Sequence, residues 1–68
     1  MNEEAFNLST RKFLKQFGVG AQREIERAVE VATADGRVRG AETFRAVAVL
    51  RVDGLGLEFT TEGEITLG

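Results

Sequence analysis

The chain contains no histidine, cysteine, tyrosine, tryptophan or proline. Catalysis near neutral pH draws on a group that titrates there, an activated nucleophile or a metal, and the missing residue types remove most of these routes. Hydroxyls, carboxylates and cations remain. Ser9 and Thr10 fall inside a helical pattern; no histidine is available as their base, and a helix interior does not hold a hydroxyl outward for attack. They read as ordinary helix residues, and the chain as non-enzymatic, with no catalytic residue. Glu58, Glu62 and Glu64 share one face of a strand pattern at i, i+4 and i+6. Such a set could chelate a hard cation or act as a general acid and base. Alternating acids on a strand are more simply a solvated face with cross-strand arginine partners, so no metal and no cofactor is expected.

The cations offer a second chemistry. Arg11, Lys12 and Lys15, with Arg23 and Arg27 further on, form the alternative nucleic-acid surface, because clustered cations meet phosphates. Against it, Glu24, Glu26 and Glu30 are interleaved, there is no tryptophan or tyrosine to stack on bases, and the phenylalanines are expected in the core. Gly18-Val19-Gly20 is no phosphate cradle, since it follows a helical pattern and lacks both a third glycine and a preceding strand.

The elements that must position these residues follow from periodicity. Asn2 is a good N-cap, and Glu3 and Glu4 sit where the helix dipole favours anions. Phe6, Thr10, Phe13, Leu14 and Phe17 then recur at spacings of three and four. The pattern predicts a helix over about 2–17 ended by Gly18, a connection at Gly18-Val19-Gly20, and a second helix over about 21–35. The second carries Ala21, Ile25, Ala28, Val29 and Ala32 on one face and stops at Asp35-Gly36. Its small buried face would pack against the Phe-rich first helix, large residues filling the space above alanines. Residues 37–39 are coil or a short extra strand.

At about Phe44 the apolar period changes from helical to alternate. Strands are expected over about 42–52 and 57–67, joined through Asp53-Gly54-Leu55-Gly56. A two-residue turn would pair Val52 with Leu55. A four-residue turn pairs Val52 with Leu57, Phe44 with Ile65, Arg51 with Glu58 and Arg45 with Glu64, and is favoured because each matched cross-strand pair contributes about 0.2–1 kcal/mol. The fold class is therefore α+β: two N-terminal helices followed by a C-terminal antiparallel β-hairpin (ααββ), with the helices packed on one face of the sheet. The expected core comprises Phe6, Phe13, Leu14, Phe17, Ile25, Ala28, Val29, Ala32, Phe44, Leu50, Val52, Leu57, Phe59, Ile65 and Leu67.

On the other face of the first strand, Arg45 and Arg51 bracket Val47 and Val49. Two valines on the open side of a two-stranded sheet form an apolar patch, and the hairpin leaves free edges. Arg45, Val47, Val49 and Arg51 are the candidate interface for a homodimer or another protein.

With 68 residues and a formal charge of −2, the chain is a single domain with a thin core and no whole-molecule attraction to nucleic acid or anionic membrane. Small folds lean on disulfides, a metal or self-association, and without Cys or His the first two are closed apart from a weak all-carboxylate site, which leaves self-association. Met1-Asn2-Glu3-Glu4 is acidic where a secretory leader would be basic, and no run approaches the about 20 apolar residues of a membrane span. A cytoplasmic location and no membrane partner are expected.

The segments Met1-Asn2-Glu3-Glu4-Ala5-Phe6-Asn7, Arg11-Lys12-Phe13-Leu14-Lys15, Gly18-Val19, Gln22-Arg23-Glu24-Ile25-Glu26, Gly54-Leu55-Gly56-Leu57 and Gly63-Glu64-Ile65 carry a likeness over essentially the whole chain. The chain resembles a family of short bacterial proteins catalogued as a domain of unknown function. The resemblance implies a stand-alone cytosolic bacterial protein of about this size, and implies no activity, ligand or site. It leads one to expect Thr-Ser ahead of Gln22, where this chain has Gly20-Ala21, which removes a capping box ending at Glu24. The functional expectation is a self-associating protein-interaction module, and the alternative is a small nucleic-acid-binding accessory protein.

Overall fold

Asn2 starts the helix as its side chain allows. Its Oδ1 accepts the Ala5 N–H at 3.0 Å and its carbonyl accepts the Phe6 N–H at 3.0 Å, while Glu3 and Glu4 occupy the positive first turn. The computed structural model describes residues 1–68, which divide into two units, Met1–Arg37 and Val38–Gly68.

The first unit is one helix, α1, Glu3–Ala34. This corrects the expectation of two helices with a break at Gly18. The energetics favour continuity. Carrying the hydrogen-bond ladder through Gly18 and Gly20 costs about 1 kcal/mol per glycine relative to alanine. Stopping and restarting requires a second nucleation, with a statistical weight of about 10⁻³, or roughly 4 kcal/mol. It also leaves helix-end amides and carbonyls to be satisfied, and no side chain among Gly18, Val19, Gly20 and Ala21 can cap them. One ladder therefore spans all 32 residues, about 48 Å. The Phe-rich and Ala-rich halves are now end to end, so the pairing of large residues over alanines cannot occur between them within one chain. Their apolar positions nonetheless fall on the same side of the helix, offset by about 60°.

The C-terminus is as anticipated. Gly36 adopts φ +77, its N–H donates to the Thr33 carbonyl at 3.1 Å, and the Arg37 N–H donates to the Ala32 carbonyl at 2.9 Å. This is the Schellman pattern, which needs a left-handed residue after the cap.

The second unit is a hairpin of β1, Thr43–Val52, and β2, Leu57–Thr66. Residues 37–39 precede it as coil, with no extra strand. The register is that of the four-residue turn: Val52 faces Leu57, Arg51 faces Glu58, Leu50 faces Phe59, Arg45 faces Glu64 and Phe44 faces Ile65. Gly54 and Gly56 take φ of +87 and +63, so the tight reversal depends on two positions where a Cβ would be strained. The pleat puts Phe44, Ala46, Ala48, Leu50 and Val52 on one face and Arg45, Val47, Val49 and Arg51 on the other.

The expected core is corrected most. Val38, which the sequence placed in a linker, is the one buried apolar residue, at 8% exposure. All five phenylalanines, Phe6, Phe13, Phe17, Phe44 and Phe59, are 42–53% exposed, and Leu14, Ile25 and Leu57 are also exposed. Val29, Ala32, Leu50, Val52, Ile65 and Leu67 are half-buried. A lone helix encloses nothing, and a two-stranded sheet has no second layer of its own.

A Cβ built on Gly18 or Gly20 meets nothing within 4 Å. Gly18→Ala and Gly20→Ala should therefore each stabilise the helix by about 0.5–1 kcal/mol. Circular dichroism at low micromolar concentration should show higher helicity and a higher melting point for both; a loss of helicity in either would contradict an uninterrupted helix.

Candidate interaction surface

Alternation along β1 places four residues of the outer sheet face in one row. Arg51 Nε donates to Glu58 Oε1 at 2.8 Å across the register. Arg45 faces Glu64, yet its Nη2 donates to Glu62 Oε1 instead. Because Glu62 stands opposite Val47, the second ion pair crosses the ladder diagonally beside that valine. Val47 and Val49, 50% and 47% exposed, lie between the two bridges. Both bridges are solvated, and such pairs contribute about 0–1 kcal/mol each. They engage two of the three acids on this face, Glu64 making neither bridge, and because Glu62 and Thr60 stand opposite the two valines the apolar part of the patch is the β1 row alone. The arrangement expected from the sequence is thus brought together on one face, with Arg45 bonded to a different acid from the one opposite it.

The acids Glu58 and Glu62 are taken up by these arginines, and no group of three acidic residues stands close enough to hold a metal. The hydroxyls also have partners: Ser9 Oγ and Thr10 Oγ1 both donate to the Phe6 carbonyl, at 3.0 and 2.8 Å, which returns their protons to the helix backbone.

The five cations of the alternative nucleic-acid surface are not brought to one point. On a continuous helix Arg11, Lys12 and Lys15 occupy about one turn, while Arg23 and Arg27 follow about 12–18 Å beyond Lys15. Lys12, Lys15, Arg23 and Arg27 lie on the side away from the apolar stripe, shared with Glu26 and Glu30, while Arg11 lies at the stripe's edge, in the direction of Val29. Arg27 Nη1 bonds Glu24 Oε1 at 3.4 Å.

The structure also shows a cluster that the sequence reading missed. The Glu42 carboxylate accepts the N–H groups of Arg39, at 2.9 Å to Oε2, of Gly40, at 2.9 Å to Oε1, and of Ala41, at 3.1 Å to Oε1. Gly40, at φ +107, turns the backbone so that successive amides converge, the geometry that favours an anion. The Glu42 carbonyl accepts the Leu67 N–H at 2.9 Å, and the chain ends against Gly40, whose carbonyl would lie 2.7 Å from a Cβ on Gly68. One residue thus ties the entry of the hairpin to its exit. The available signal was a glycine two residues before an acid at the start of a strand pattern. The Arg39 N–H first, and then the Gly40 N–H, hold the Glu42 carboxyl below its ordinary value of 4.5.

No helix is long and apolar enough to cross a membrane. The sequence matches the model of a family of unknown function (DUF6494) over residues 1–68. No curated protein and no solved structure matches it.

Folding releases protons from Glu42 between its ordinary and its lowered pKa. Its contribution to stability is therefore complete above about 4.5 and lost as pH falls through the lower folded value. Glu42→Gln keeps an acceptor without the charge. The variant should melt below the parent at neutral pH, by a margin that holds down to about pH 4.5 and then closes on further acidification; a margin independent of pH would refute this account.

Proposed function

We propose that this chain, which belongs to that family of unknown function, is a non-enzymatic α+β module that self-associates, as a homodimer, and binds proteins through its exposed apolar surface. A cytoplasmic setting in a bacterium is part of the same proposal. One observation carries the reading: five phenylalanines are about half exposed while a single apolar residue is buried. Three of these phenylalanines lie on the helix unit and two on the hairpin unit, and large exposed apolar patches mark interaction sites. The chemistry agrees, because the hydroxyls of Ser9 and Thr10 are bonded to a helix carbonyl and Arg45 and Arg51 hold two of the strand acids.

The outer patch contributes a part of that surface. Val47 and Val49 together offer on the order of 100 Å², whereas a stable interface takes about 800 Å² from each partner. The remainder must come from the phenylalanine-bearing faces.

A second reading, through Arg11, Lys12, Lys15, Arg23 and Arg27, has one observation in its favour, the alignment of Lys12, Lys15, Arg23 and Arg27 along the helix side away from the apolar stripe, with Arg11 at its edge. It makes the chain a nucleic-acid-binding accessory protein, with a salt-dependent mobility shift on mixed DNA or RNA. No shift at about 50 mM salt would remove it.

Sedimentation equilibrium tests the first reading. At high micromolar concentration the chain should have twice its monomer mass, and Val49→Glu should weaken association by less than about tenfold, since it touches a minor share of the buried area. A monomer throughout the range would overturn the proposal.

A further inference from the structure

The apolar stripe of α1 has a symmetry that becomes visible only because the helix is continuous. Phe6, Thr10, Phe13 and Phe17 stand 13, 9, 6 and 2 residues before Val19. Ala21, Ile25, Ala28 and Ala32 stand 2, 6, 9 and 13 residues after it. Four of the five apolar positions of the first half have mirror positions in the second, and three of those four pairs set a phenylalanine or threonine against an alanine; Leu14 mirrors Glu24 and Val29 mirrors Ser9. We infer that a second copy of this chain docks antiparallel on α1, about a twofold axis at Val19, so that Phe6 lies over the partner's Ala32, Thr10 over the partner's Ala28, Phe13 over the partner's Ile25, and Phe17 over the partner's Ala21. The inference rests on the self-association proposed above and gives it a surface and a geometry.

Size decides between this occupant and others. A parallel pair would stack Phe6, Phe13 and Phe17 on their own copies and leave alanine on alanine in the other half, overfilling one end and underfilling the other. The antiparallel pair gives every layer one member from each half, which is the condition for even packing along a helix interface. Charge does not discriminate: in the antiparallel pair Arg11, Lys12 and Lys15 stand level with the partner's Arg27, Glu26 and Arg23, and Lys12 and Lys15 lie on the side of the helix away from the stripe. The acidic helix ends meet acidic ends in either arrangement and do not discriminate. Area is sufficient. Three half-exposed phenylalanines offer roughly 100 Å² each. With Leu14, Ile25 and the rest of a stripe about 40 Å long, the total approaches the about 800 Å² per partner of a standard interface.

The chain has no cysteine, so single-cysteine spin labels report cleanly. Leu8, Val19 and Glu30 are exposed and lie off the stripe, and Leu8 and Glu30 are mirror positions about Val19. The full-length variants Leu8→Cys, Val19→Cys and Glu30→Cys are labelled, their mass is checked by sedimentation, and distances are measured by double electron–electron resonance. Val19 labels should be separated by about two helix widths, roughly 20 Å. Labels at Leu8 in both copies, and at Glu30 in both copies, should carry an additional axial offset of about 33 Å. A mixture of Leu8-labelled and Glu30-labelled chains should restore the short distance. Equal short distances at all three positions would mean a parallel pair and overturn the inference. A dimer by mass with no such pattern would also overturn it, placing the contact on the hairpin and leaving self-association intact. A monomer by mass would remove the self-association reading and this inference with it.

Discussion

The backbone ladder of α1 across Gly18, Val19 and Gly20 is the constraint on which the rest depends. Helix formation is cooperative, so two poor helix formers inside a long ladder are carried by their neighbours, whereas a break demands new ends and a new nucleus. Once the ladder continues, the amphipathic face of residues 6–32 becomes a single stripe. A stripe on one straight element has nothing within that element to bury it. The exposure of Phe6, Phe13 and Phe17 is therefore a direct geometric result of continuity at two glycines.

The hairpin was far more legible than the helix. A period of two is a local property, and it distinguishes the two sheet faces residue by residue. The register was legible as well, because a shift to the two-residue turn would have set Phe44 against Gly63, whereas the observed register sets Phe44 against Ile65 and Leu50 against Phe59. The one discrepancy on this face, Arg45 reaching Glu62 in place of Glu64, lies in side-chain freedom. A long arginine can bridge diagonally as readily as straight across, and register alone does not choose.

The breaks and the core were less legible, for different reasons. Gly18 and Gly20 look like punctuation because glycine often ends helices, but a glycine terminates a helix only when a left-handed residue and new caps follow. Gly36 meets that condition, with φ +77 and two closing hydrogen bonds; after Gly18 the one cap on offer is Gly20, which has no side-chain acceptor and serves less well than Ser or Thr. Amphipathicity identifies a face of a helix or strand and says nothing of what lies against it. Val38 and Glu42 act through the irregular segment before β1, which carries no periodic signal. There a backbone turn at Gly40, with no side-chain period, gathers the amides of Arg39, Gly40 and Ala41 onto one carboxylate.

Ala21 is where these threads meet. A Ser-x-x-Glu box ending at Glu24 would have supplied reciprocal caps for a second helix and shifted the balance toward a break. Alanine, the best helix former, supplies no cap and adds propensity to the continuous ladder. A break there would let the chain fold its Ala-rich half back on its Phe-rich half and bury both within one molecule. Without the break, the same complementary halves are held end to end, and the surface that would have formed an internal core is displayed along the outside of α1. With no cap at Ala21, the apolar positions of residues 6–32 stay on one side of a continuous helix, where Phe6, Phe13 and Phe17 are half exposed.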